Sequence, residues 1–129
     1  MENYKTDSKK CFKMLDIEKQ VTKEKIGEKD INLLLELADE GTPRAYFILG
    51  KIELIQNNNE AKAMEWFDLV LQKGNQFVLF SAANFFASYD DLYIDQAMKF
   101  LRRAAWRQHP IAKRMLKFMK EYPFKLPEA

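Results

Sequence analysis

The chemistry this 129-residue chain can offer starts with one histidine, one cysteine and a short run of aspartates. His109 stands directly before Pro110, a position that suits the start of a helix better than a general base. Cys11 lies among Lys9, Lys10 and Lys13, whose charges would lower a thiol pKa. The plainer alternative is a half-buried helix cysteine, and a single cysteine forms no intramolecular disulfide, which agrees with a reducing compartment. Asp90, Asp91 and Asp95 offer carboxylates to a divalent ion but lack the glycine and terminal glutamate of a calcium loop, so a helix-capping turn explains them. No glycine-rich phosphate loop and no nucleophile elbow occurs. The expectation is a protein that is not an enzyme and holds neither cofactor nor metal.

Binding chemistry is richer. Arg102, Arg103, Arg107, Lys113, Arg114, Lys117 and Lys120 surround Trp106, a combination able to track a phosphate backbone and stack a base. However, Arg103 and Arg107 are one helical turn apart, and Lys113, Lys117 and Lys120 share one face of the next helix, as a solvated outer surface also would. Nucleic acid is therefore the alternative partner and not the favoured one. The net charge of +2 is unevenly spread: residues 1–98 hold 12 basic and 17 acidic side chains, residues 99–129 hold nine and two. Such a dipole can orient a partner.

The elements that position these residues are helices. With 47% hydrophobic, 13% aromatic and 31% charged residues, the chain has the composition of one soluble, ordered domain. Apolar spacing places seven helices near 7–25, 30–40, 43–56, 59–73, 76–88, 91–107 and 110–121. Gly27 ends the first; Thr42, Asn59, Asn75 and Asp90 or Asp91 read as caps; Pro43 and Pro110 sit at first helical positions; Pro123 and Pro127 close the seventh. Phe77-Val78-Leu79-Phe80 would suit a strand by composition, yet it runs into the small residues Ala82 and Ala83 of a longer pattern.

That pattern is a repeat. Gly41, Ala45, Leu49, Gly50, Lys62, Ala63, Trp66, Phe67 and Val70 lead to Gly74, and a degraded copy follows through Val78, Ala82, Ala83, Ala97, Phe100, Leu101, Ala104 and Ala105 to Gln108. The spacings from Gly41 to Gly74 and from Gly74 to Gln108 are 33 and 34 residues. A period in this range signals stacked helical hairpins, since one hairpin cannot bury its apolar face alone. The expected fold is all-α, a right-handed α-solenoid of antiparallel helix hairpins forming a single domain. It comprises an N-terminal capping helix (1–29), the second helix of a partial repeat (30–41), repeats at 41–74 and 74–108, and a C-terminal capping helix (109–122). Ala45, Gly50, Ala63, Ala83, Ala97, Ala104 and Ala105 would give clearance where helices cross, with Trp66 and Phe100 filling the space between hairpins.

These residues resemble the Sel-one-like repeat family, a branch of the tetratricopeptide-type solenoids, over residues 30 to about 118. The resemblance implies a helical superhelix used for protein–protein contact, with no catalytic residues to carry over. It also implies that the first helix of each hairpin lines a concave groove, which places Arg44, Phe47, Lys51, Phe77, Phe80, Asn84, Arg114 and Phe118 on the partner-binding surface. Phenylalanines flanked by Arg, Lys and Asn suit a protein-binding hot spot. The same spacing equally allows Phe47 and Phe80 to be core.

The function expected is an interaction module, in its narrowest form a small immunity protein that neutralises a toxin. The acidic stretch 30–68, with eight acidic and three basic side chains, would suit a basic toxin surface. No apolar run reaches the ~18 to 20 residues of a membrane span, and the first twenty residues lack the apolar block of a secretory signal. The expectations are thus a cytoplasmic location, no membrane partner and a monomer.

Overall fold

A computed structural model of the chain describes residues 4–121. Among them are seven α-helices, one short 3-10 helix and no strand. The helices are α1 (Tyr4–Gln20), α2 (Glu28–Asp39), α3 (Pro43–Ile55), α4 (Glu60–Lys73), α5 (Gln76–Tyr89), α6 (Ile94–Trp106) and α7 (Pro110–Phe118). The chain divides within α4 into two compact units, one ending at Leu69 and the other beginning at Val70.

The expected caps set most boundaries. The Asn75 side chain accepts from the N–H groups of Phe77 (3.1 Å) and Val78 (3.0 Å), Asn59 accepts from Lys62 N–H (3.1 Å), and Asp90 accepts from Leu92 N–H (2.9 Å). Each satisfies a donor that the first helical turn leaves unpaired. Thr42 occupies its N-cap position with no side-chain bond, leaving Pro43 to fix the turn. The period of 33 and 34 residues recurs in the N-caps of α3, α5 and α7, which are Thr42, Asn75 and His109.

Helix ends also repeat. Gly41 has φ +87°, its N–H bonds Ala38 C=O (2.9 Å), and Thr42 N–H bonds Leu37 C=O (3.0 Å). This is a Schellman ending, which requires a left-handed residue and favours glycine. Sixty-seven residues on, Gln108 adopts φ 74° with the matching bonds from Gln108 N–H to Ala105 C=O and from His109 N–H to Ala104 C=O. Gly74, aligned between them by sequence, is not left-handed. Its requirement is close approach, since a Cβ there would lie 2.5 Å from Val70 C=O and 3.2 Å from Leu79 Cγ.

Three boundaries differ from the sequence reading. The first helix stops at Gln20 and not near 25, because Val21 and Ile26 turn inward to burial and Gly27 starts α2 in extended conformation. The second helix consequently begins at Glu28. The seventh ends at Phe118 in a third Schellman turn, with Lys120 at φ 61° and Glu121 N–H bonded to Leu116 C=O (2.7 Å). Pro123 and Pro127 lie outside the described residues.

In the N-terminal unit α1 packs on α2 and α2 on α3. The α3 helix is buried along nearly its whole length, from Ala45 to Leu54 apart from Lys51. Phe67 of α4 meets it there, stacking obliquely on Phe47 at 6.3 Å between ring centroids. Gly50 allows that approach, since an added Cβ would lie 2.8 Å from the Phe67 ring. The space assigned to Trp66 is thus filled by its neighbour Phe67; Trp66 is half-buried and stacks on Tyr46 at 6.1 Å.

In the C-terminal unit α5 packs closely on α6, and α6 on α7. Phe100 is buried as expected and stacks on Phe86 at 5.6 Å. Ala82, Ala83, Ala97, Ala104 and Ala105 are buried.

Candidate functional site

The eight partner-binding candidates separate into three groups. In the N-terminal unit, Arg44, Phe47 and Lys51 do lie together: the Lys51 ammonium is 4.3 Å and the Arg44 guanidinium 5.8 Å from the Phe47 ring centroid. They do not form an open surface. Phe47 is only 2% exposed, and Glu18 of α1 accepts hydrogen bonds from Lys51 Nζ (2.8 Å) and Arg44 (3.4 Å). Burial lowers the Lys51 pKa, opposed by its attraction to Glu18. Phe47 is therefore core, and the charges expected to greet a partner are held internally. The spacing of Met14 and Ile17 in α1 and Val21 just beyond it, all buried, carries this signal, but it is faint among the lysines.

In the C-terminal unit, Phe77, Phe80 and Asn84 share one face of α5, as spacings of three and four residues require. Phe77 is 63% exposed, Phe80 is half-buried and Asn84 is exposed. What gathers the two rings is His109, which the sequence reading confined to helix initiation. Its imidazole stacks on Phe80 with centroids 4.1 Å apart at 18°, and meets Phe77 nearly edge-on at 6.1 Å. The helix-start role also holds, since His109 Nδ1 accepts from Ala112 N–H at 3.3 Å. His109 is 6% exposed, and burial pushes its pKa below the ordinary 6.5.

Arg114 and Phe118 form the third group. Five and nine residues beyond His109, at about 100° per residue they project from other sides of α7. Both are exposed, and neither joins the stack.

The geometry gives the α5 face a definite character. Neutral His109 uses its Nδ1 lone pair to accept the Ala112 N–H, so a proton or a metal taken up at that nitrogen would break this bond. Among the described residues no group of three or more His, Cys, Asp and Glu side chains could hold a metal ion. Cys11 is exposed on α1. The Trp106 ring carries the guanidinium groups of Arg103 at 4.8 Å and Arg107 at 5.4 Å, and Arg103 also donates to Leu71 C=O at 3.0 Å.

One residue escaped the sequence reading altogether. The Gln56 side chain accepts from Ile26 N–H (3.0 Å) and donates to Val21 C=O (2.7 Å) and Glu24 C=O (2.9 Å), tying down the α1–α2 connection. A lone glutamine after a helix gives no sequence signal for this. No helix is long and apolar enough to cross a membrane among the described residues. No family model, curated protein or solved structure matches this chain.

Proposed function

We propose that this chain is a non-catalytic protein-interaction module of the helical-repeat kind, a right-handed solenoid of antiparallel hairpins, and that it engages its partner through the α5 face of its C-terminal unit. The observation that carries the reading is Phe77, a large aromatic ring left 63% exposed while it lies 6.1 Å from, and nearly perpendicular to, the His109 ring, itself stacked on Phe80. Such a ring is ordered before binding and gives contact area at little entropic cost, which is how aromatic hot spots work. Asn84 on the same face supplies an adaptable hydrogen-bonding group.

Nucleic-acid binding is supported by Trp106 with its two arginines. It is the weaker reading, because the arginines already lie over the ring and Arg103 is tied to Leu71 C=O.

The test is affinity capture by the tagged chain from lysate of its own cells, with and without nuclease, against Phe77→Asp. This surface variant keeps the stack of Phe80 on His109. A nuclease-resistant protein that is lost in Phe77→Asp supports the reading. Nucleic acid alone, lost in Arg107→Glu, overturns it.

A further inference from the structure

Two exposed apolar surfaces of the C-terminal unit carry opposite charge. One is the turn joining α5 to α6. Leu92 is 86% exposed there, Tyr89 and Ile94 are exposed beside it, and Asp90, Asp91 and Asp95 are interleaved with them. Asp90 is accounted for as a cap, but Asp91 and Asp95 hold exposed side chains next to an apolar tip.

The other surface is a strip on α7. Phe118 is 89% exposed and Ile111 and Met119 are exposed with it, bordered by exposed Arg114, Lys117 and Lys120. Ile111 and Phe118 are seven residues apart and so project within about 20° of each other, on the side of α7 roughly opposite His109. The strip is therefore distinct from the α5 face. Isolated exposed apolar side chains need no explanation, whereas grouped ones bordered by a single sign of charge mark contact surfaces.

We propose that the Leu92 tip of one copy docks on the Phe118 strip of a second copy of this chain. Each surface has the apolar centre that drives association and the charge that the other lacks. A merely acidic partner would satisfy α7 alone and a basic one the tip alone; a second copy satisfies both. The net charge of +2 sets little long-range repulsion against such pairing. If each copy's tip meets the other's strip the result is a two-fold pair with an isologous interface; if neighbours share a single tip–strip contact it is heterologous, and closes into a ring or adds copies in a row. This contact does not use Phe77, so it stands or falls independently of the function proposed above.

Sedimentation velocity and light scattering over a concentration series, at low and high salt, test it. The wild-type chain is expected to reach at least twice the monomer mass at low salt and to dissociate as salt rises. Phe118→Ser should weaken association at least about tenfold. Asp91→Lys/Asp95→Lys and Arg114→Glu/Lys117→Glu should each remain monomeric, since each places like charges on both surfaces. Mixed together, the two reversed chains become complementary again and should associate. A wild-type chain that stays monomeric at low salt overturns the proposal and leaves the strip to a different partner. So does association that survives both reversals, or folded reversed chains, checked by circular dichroism, that fail to combine.

Discussion

The α3 and α5 helices have N-caps 33 residues apart, at Thr42 and Asn75, and meet opposite fates. Arg44, Phe47 and Lys51 on α3 correspond, 33 residues later, to Phe77, Phe80 and Asn84 on α5. On α3 the aromatic is sealed into the core and the two cations are claimed by Glu18. On α5 the outer aromatic stands in solvent and the inner one is braced by an imidazole. Spacing along a helix fixes which residues share a face, but the helix that packs against it decides whether that face is free. Here α1 brings a carboxylate to one face, and α7 brings a histidine to the other.

The widest separation between the two faces is expected in stability. Phe47→Ala empties a core position and should cost about 3–5 kcal/mol, whereas Phe77→Ala removes an exposed ring and should stay within about 0.5 kcal/mol. Urea denaturation of the two variants measures both. A Phe77→Ala cost approaching that of Phe47→Ala would break the comparison by making α5 another core face.

Glycine sharpens it further. Gly50 in α3 corresponds to Ala83 in α5, and Phe67 in α4 corresponds to Leu101 in α6. Gly50 faces Phe67 closely, since a Cβ at position 50 would lie 2.8 Å from its ring. Gly50→Ala gains about 1 kcal/mol of helix propensity, yet the overlap with a buried ring should leave a net loss of about 1–3 kcal/mol. Phe67→Leu supplies the smaller side chain that stands at the corresponding position 101. The double variant should therefore be more stable than the sum of the single losses predicts, a coupling that a denaturation cycle reads directly. Additivity would show that Gly50 and Phe67 are not fitted to each other.

Ion pairs give a smaller contrast. Glu18 sits in a half-buried site against Lys51 and Arg44, so Glu18→Gln leaves two cations without their carboxylate and should cost about 1–3 kcal/mol. The exposed pair of Arg102 and Glu121 in the C-terminal unit, at 3.2 Å, should be worth less than about 0.5 kcal/mol when Arg102→Ala removes it.

Much of the helical scaffold was legible because it rests on local chemistry. Proline at first helical positions, asparagine and aspartate caps and a glycine forced to positive φ are written within a few residues of their effect, and seven helices follow from them. The burial of Ala45, Gly50, Ala63, Ala83, Ala97, Ala104 and Ala105 was legible from their spacing. The candidate surface was less so, because exposure is set by partners far along the chain: Glu18 acts on residues 26 and 33 positions away, and Gln56 reaches back 30 to 35. His109 was visible as a cap and invisible as a ring, since nothing in the local sequence announces that Phe80 lies against it. Trp66 and Phe67 were confused for a simpler reason, as a one-residue error turns a helical side chain by about 100°.

The finest test concerns that histidine, which exists only on the α5–α7 side of the comparison. Its folded pKa lies below the ordinary value because burial disfavours the charged ring. Between the folded and the ordinary pKa the unfolded chain binds a proton that the folded chain refuses. Stability should consequently be full at neutral pH and fall as pH drops below about 6.5. Protonation at Nδ1 acts in the same direction, since it removes the acceptor for Ala112 N–H. His109→Asn keeps a capping side chain, as Asn75 does for α5, but removes both the titration and the stack on Phe80. Its stability should therefore depend less on pH over the mildly acidic range, while its Phe77 ring, no longer braced, should bind a partner more weakly at neutral pH. Unchanged pH dependence would assign the acid sensitivity to other groups. Unchanged partner affinity would show that Phe77 needs no support, and the α5 face would then resemble an ordinary exposed surface more than a prepared one.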